Sequence, residues 1–151
     1  MAANFLLTND NLALVARLRT LRPDSERQWR KMTAGQVLVH CADQLRVSRS
    51  DKPLTSVRVP GFLKPLMKWY FVSRLRAFKP GVRTLKELDA ASGMTTLTTF
   101  EADRAALLAL LEPARYDLHG VDHPLFGRLT AREFGEVSWK HLDHHLRQFG
   151  A

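Results

Sequence analysis

His141 and His145 stand four residues apart near the C-terminus, in the run Trp139-Lys140-His141-Leu142-Asp143-His144-His145-Leu146. On a helix, side chains at i and i+4 project from the same side. Two imidazoles so placed can share one metal ion, at about 2.0–2.1 Å from each nitrogen for zinc. A third histidine, His40, lies about a hundred residues upstream in another segment with helical patterning. Three neutral histidines would leave the ion's charge intact and at least one position open. A water bound there becomes a stronger acid, with a pKa approaching ~7, and a bound thiol loses its proton outright. The first suits hydrolysis and the second suits thiol transfer to an electrophile.

The helical wheel separates this pair from its neighbours. At roughly 100° per residue, with His141 at zero, His145 falls near +40°. Phe134, Ser138, Leu142, Leu146 and Phe149 spread from about +20° to +140°, which places the pair within the apolar stripe. Arg132, Glu136, Lys140, Asp143 and Arg147 fall on the opposite face, and His144 lies on the margin near about −60°. An inward imidazole is costly unless it finds a partner. A metal is one answer and a hydrogen bond to a buried side chain or water is the other, and the spacing alone leaves both open.

His40 lies on the shoulder of its own apolar stripe, with Thr33, Gln36, Gln44 and Val47 near it. Gln36, Gln44 and Gln148 are the candidates for orienting the ligands or touching a substrate, although such partners are more usually carboxylates or carbonyls. His123, with its backbone restricted by Pro124, is a further candidate, set against a simple loop-closing role. Cys41 is the one cysteine. It aligns with Val37 and Leu45, points about 100° away from His40 and reads as a core residue. A thiolate nucleophile would therefore have to arrive with a cosubstrate.

The elements that must position these residues read as helices. The first is expected from Asn9 or Asp10 to about Leu21, and the second from the T-x-x-Q capping box of Thr33 and Gln36 to about Ser48. A third is expected from Pro65 to Phe78, stopping before Pro80-Gly81. Residues 81–97 are expected to form an irregular crossing or a short strand. A capping box of Thr98 and Glu101 opens a helix through Leu111, His119 to Gly127 is expected as a loop, and Thr130 with Glu133 starts the last helix, through Phe149. With 151 residues, 45% of them apolar, the chain is expected to be one domain, residues 1–151. The expected fold class is all-α, a four-helix bundle with a long, partly irregular crossing segment. The N-terminal residues show no signal-peptide pattern, no apolar run approaches the ~18 residues of a membrane span, and the single cysteine permits no internal disulfide. A reducing, cytoplasmic setting is the expectation.

Three stretches resemble the DinB-like superfamily of four-helix-bundle metalloproteins, and in particular a branch known only as a domain of unknown function. They are Trp29-Arg30-Lys31-Met32-Thr33-Ala34-Gly35-Gln36-Val37-Leu38-Val39-His40, His123-Pro124-Leu125-Phe126-Gly127, and His141-Leu142-Asp143-His144-His145-Leu146-Arg147-Gln148-Phe149-Gly150. That superfamily places one histidine in its second helix and an H-x-x-x-H pair in its last, which match His40, His141 and His145. The order and spacing extend the resemblance over nearly the whole chain, though the middle third carries no diagnostic motif. The resemblance implies a divalent metal, zinc or nickel, held by three imidazoles with open positions. Members of the superfamily with known activities include thiol-dependent transferases and isomerases that use a low-molecular-weight thiol, and others have no assigned reaction. Bundles of this type often pair through an exposed apolar helix face, so a homodimer is one expected assembly.

Charge supplies a second signal. The chain has 23 basic and 15 acidic residues, a net of +8. Eleven of the basic residues fall in 46–86, where Asp51 is the one acid, leaving that segment at +10 and the remainder at −2. Phe62, Trp69, Tyr70, Phe71 and Phe78 are interleaved there. Such a segment can be the solvated face of a helix, can draw an anionic small-molecule substrate to a site, or can contact nucleic acid or an anionic membrane. No recognised nucleic-acid-binding motif is present. Two classes of function stand: a metal-dependent enzyme of the thiol-dependent transferase or hydrolase type, and a non-enzymatic basic module for nucleic acid or an anionic surface whose histidines are structural.

Overall fold

The computed structural model describes residues 2–78, 84–90, 92–116 and 119–151. Its long helices are α1 (Thr8–Thr20), α2 (Ala34–Ser48), α4 (Phe100–Leu110) and α5 (Ala131–Arg147), with a short α3 (Lys64–Lys68) between α2 and α4. Helix α2 packs against both α4 and α5, and α1 packs against α5. The core between them is built from Phe5, Leu14, Leu38, Leu45, Leu107, Phe134, Leu142 and Leu146, all essentially closed to solvent. Cys41 lies in the same core.

Two of the three expected capping boxes form. Thr33 and Gln36 start α2, Thr130 and Glu133 start α5, and each pair satisfies two otherwise unpartnered backbone N–H groups. The third is displaced. Thr99, not Thr98, caps α4 by accepting the Ala102 N–H at 3.2 Å. Thr98 instead bonds the Asp103 carboxylate, and Glu101 pairs with Arg104.

The all-α expectation is overturned by a small antiparallel sheet of β1 (Val121–His123) and β2 (Gly127–Leu129). Its register pairs Val121 with Leu129, Asp122 with Arg128, and His123 with Gly127. The sequence reading takes His119 to Gly127 as a loop. In the structure Pro124 lies between the strands and Gly127 opens the second with φ +71°, a conformation open to glycine at little steric cost. An Asp122–Arg128 ion pair at 3.0 Å spans the exposed face, while His123 and Leu129 turn inward.

The third helix is also shorter than the sequence suggests. α3 widens into a π-helical turn over Trp69–Arg74, closed by the Leu75 N–H on the Tyr70 carbonyl at 2.8 Å, and Leu75 is already extended. The chain leaves the helix there, and Phe78 comes to lie over α5. The expected stop at Pro80-Gly81 lies outside the described residues, as do Lys79 and Arg83. What is described of 81–97 is an irregular crossing with one 3-10 turn, Lys86–Leu88, and no strand among the described residues. Two buried carboxylates anchor it. Asp43 of α2 accepts from Lys52 Nζ at 2.5 Å and from the Thr95 N–H and hydroxyl, each at 2.7 Å. Glu87 accepts from the Thr55 and Ser56 backbones, each at 2.7 Å. Burial pushes the Glu87 acid up, but a hydrogen bond from the Ser56 hydroxyl, followed by these backbone donors, overcomes it and holds the carboxyl at about 2. The crossing carries Leu88 to the side of α2 that faces α5.

Candidate metal centre

Helices α2 and α5 run antiparallel, and contacts at both ends fix their phase. Where α2 ends, Ser48 meets His123, just before α5 begins. Where α2 begins, the Trp29 carbonyl accepts from Gln148, just after α5 ends. His40 of α2 is thereby brought level with the His141–His145 turn of α5. One nitrogen from each of the three rings falls within a cluster whose members all lie within 4.8 Å of one another. His40 Nε2 and His141 Nε2 are 3.2 Å apart. His40 and His145 are buried, and His141 keeps partial exposure.

The tautomers follow from what the other ring nitrogens touch. His40 Nδ1 lies 2.9 Å from the Leu88 carbonyl, which only accepts, so Nδ1 carries the proton and Nε2 carries the lone pair. His145 Nδ1 lies 3.0 Å from Gln148 Oε1. The orientation of that amide is set by its other end, because Gln148 Nε2 donates to the Trp29 carbonyl at 2.9 Å. His145 therefore also directs a bare Nε2 into the cluster. His141 Nδ1 is buried with no hydrogen-bond partner among the described residues, and its ring packs edge-on against Phe78, with centroids 5.8 Å apart.

All three rings are held neutral. Burial lowers the His40 pKa, against the Leu88 carbonyl, which raises it. Burial pushes His141 well below the ordinary histidine range, and the neighbouring His145 and His40 push it further. Burial does the same to His145, followed by the adjacent His40. Neutral imidazole is the form that ligates. Two nitrogens about 2.05 Å from a tetrahedral ion are separated by about 3.3 Å, close to the observed 3.2 Å between His40 and His141. The donor set, the tautomers and this spacing fit a divalent metal.

The other candidates divide. Gln148 orients His145. Gln36 is used in the α2 capping box, one helical turn from His40. Gln44 gives its Nε2 to Ser48 at 2.7 Å, and its Oε1 is buried with no partner among the described residues. His123 stays outside the cluster: Nε2 bonds Ser48 Oγ at 3.1 Å, Nδ1 accepts the Leu125 N–H, and the ring stacks on Phe126 at 4.3 Å. His144 bonds the Phe78 carbonyl through Nδ1 at 3.0 Å and is buried rather than marginal. The wheel also put Lys140 in solvent. It is buried instead, with Nζ donating to the Val72 carbonyl at 2.6 Å, because the π-helical turn packs across that side of α5.

The Leu88 carbonyl and the Phe78 ring were missed in the sequence. A backbone carbonyl leaves no residue-type signal, and Phe78 acts only because the chain departs from its helix early. Apart from the other histidines, the charges that act on these three rings are Asp43 and Asp89 at His40 and Arg30 at His145, none of them among the basic residues of 46–86.

The sequence profile of a family described as "Protein of unknown function (DUF1569)" matches residues 3–151. No curated protein and no solved structure matches the chain.

Proposed function

We propose that this chain, which belongs to the DUF1569 family, binds one divalent metal ion, zinc or nickel, through His40, His141 and His145. In this reading it acts as a metal-dependent enzyme of the thiol-dependent transferase or hydrolase type. The observation that carries the proposal is the pair of tautomer locks, Leu88 O on His40 and Gln148 Oε1 on His145, which aim two bare nitrogens into one three-histidine cluster. An ion held there supplies Lewis acidity and acidifies a water or thiol beside it.

The chain's own residues then have defined tasks. Leu88 and Gln148 fix ring orientation, and Phe78 shields one flank of His141 from water. In this reading a substrate arrives on the side of His141, the one partly exposed residue of the three. Cys41 supplies no nucleophile: it is packed in the core, and burial pushes its thiol far above the ordinary range. A thiol therefore enters as a cosubstrate, the reading that the DinB-like resemblance favours.

The test begins with metal content. Purified protein loaded with zinc or nickel and dialysed should retain about one equivalent per chain, and a His141→Ala/His145→Ala double variant should retain none. Equal retention by both proteins would overturn the site. Loaded protein should then consume a low-molecular-weight thiol in the presence of an electrophile, or hydrolyse an ester, at a rate that chelation abolishes.

A further inference from the structure

The described surface concentrates its large exposed apolar side chains in one place. Six of the nine fall within fourteen residues: Val57, Phe62, Leu63, Leu66, Trp69 and Tyr70. Phe62 is 81% exposed, Leu66 60% and Trp69 52%. Scattered surface leucines are ordinary, whereas a contiguous apolar group marks a contact surface. From Phe62 the group recurs at steps of three and four residues, so it forms one face of the α3 segment. The opposite face is accounted for by Met67, Phe71 and Val72, which pack on the core. The π-helical turn accommodates one extra residue, and adjacent Trp69 and Tyr70 both remain outside while Val72 is buried.

The margins of this face are basic. Arg58, Lys64, Lys68, Arg74 and Arg76 border it, and no acidic residue occurs from Lys52 to Lys86. Lys68 is tied to Glu133 at 2.8 Å and Arg74 stands over the Trp69 ring. Arg58, Lys64 and Arg76 form no ion pair among the described residues. An apolar helix face carrying Trp, Phe and Leu and bordered by Lys and Arg is the pattern of a segment that lies in a lipid interface.

We propose that the 57–76 segment docks this protein on an anionic lipid surface, with Phe62, Leu66 and Trp69 entering the headgroup–acyl boundary and the basic margin meeting the lipid phosphates and carboxylates. Charge decides against a second copy of the same face, because two such faces would bring unpaired cations together. Chemistry decides against nucleic acid. Three of the six exposed side chains, Val57, Leu63 and Leu66, are aliphatic and offer bases nothing to stack on. The inference is independent of the metal centre.

Co-sedimentation of the full chain with vesicles tests it. Vesicles of phosphatidylcholine with roughly a third phosphatidylserine should carry the protein down at low salt, and pure phosphatidylcholine should not. Binding should weaken as salt rises toward physiological strength. Phe62→Ser/Leu66→Ser should reduce it at least tenfold, and Lys64→Glu should reduce it about fivefold or more. Both variants should keep the wild-type circular dichroism and zinc stoichiometry, since the altered side chains lie outside the core. Three results would overturn the proposal. One is no sedimentation with the anionic vesicles at low salt. Another is tight binding to a duplex or single-stranded oligonucleotide that Lys64→Glu abolishes and Phe62→Ser/Leu66→Ser leaves intact. The third is a dimer in sedimentation velocity that Phe62→Ser/Leu66→Ser dissolves.

Discussion

His40 Nε2 and His141 Nε2 face each other at 3.2 Å across two antiparallel helices. His40 has given its proton-bearing nitrogen to Leu88, so the facing nitrogen is a bare acceptor. Without an ion, His141 must turn an N–H toward it. To hold an ion together with His40, His141 would have to present a bare Nε2 and carry its proton on Nδ1. That nitrogen is buried with no partner among the described residues. Among those residues, His141 is thus the ligand of the three with no hydrogen-bonding group to orient it.

Substitution should rank the residues accordingly. His40→Ala, His141→Ala and His145→Ala should each weaken zinc binding at least tenfold in competition with a chromophoric chelator. Gln148→Leu, which removes only the orienting group of His145, should lower affinity by roughly ten- to a hundredfold. His144→Ala should stay within about threefold of wild type, because its nitrogen is engaged by the Phe78 carbonyl. A loss for His144→Ala equal to that of the ligands would mean that the wrong turn of α5 had been assigned.

His123 gives the molecule a pH dependence separable from the metal. Burial, with Lys64 nearby, drops its pKa from 6.5 to about 4. The unfolded chain then binds more protons than the folded one between these values, so stability is complete above pH 6.5 and is lost as pH falls toward 4. The full effect is on the order of 3 kcal/mol. Urea unfolding with chelator present, at pH 7.5 and 5, should show a smaller pH difference for His123→Gln than for wild type. An identical difference in the two proteins would assign the dependence to other groups.

The clustering of the three histidines was more legible in the sequence than the fold was. The i, i+4 spacing of His141 and His145 and the capping boxes at Thr33 and Thr130 are local patterns, and the structure contains all of them. What failed was non-local. Three-residue strands around Pro124 are too short to show alternation, so the hairpin was read as a loop. Lys140 looked solvated on an isolated wheel because nothing in α5 reports that the turn at Trp69–Arg74 covers it. Among the three glutamines, wheel position alone could not choose Gln148, whose role depends on the Trp29 carbonyl more than a hundred residues away.

Cys41 tests whether the protein supplies its own thiol. It is 2% exposed and its proton is held tightly by burial. Ellman's reagent should react with the native protein only at the rate of unfolding and should react at once in denaturant. Cys41→Ala should leave zinc stoichiometry unchanged and lower stability by about 1 kcal/mol. Fast labelling of the native, metal-loaded protein would show a thiolate within reach of the site and would reopen an internal nucleophile.

Gly135 of α5 leaves no room for a side chain. In an ordinary exposed helix, replacing glycine by alanine stabilises by about 0.5–1 kcal/mol. Here a Cβ would stand 1.8 Å from Asn4 Oδ1 and 2.5 Å from Asn4 Cγ. The Asn4 side chain has little freedom to retreat. It is 4% exposed, its Nδ2 donates to the Arg132 carbonyl at 3.1 Å, and its Oδ1 accepts the Leu6 N–H at 2.9 Å. Behind it, Phe5 is wedged between Tyr116 and Phe134, with ring centroids 5.1 and 5.7 Å away. Gly135→Ala should therefore destabilise by roughly 1–3 kcal/mol, seen as a lower urea midpoint at unchanged m-value. Asn4→Gly in the same background should recover part of the loss, because it removes the atoms that the new methyl meets. Stabilisation by Gly135→Ala alone would mean that the N-terminal segment does not dock on α5 in solution. A penalty that Asn4→Gly fails to relieve would place the clash with some other group.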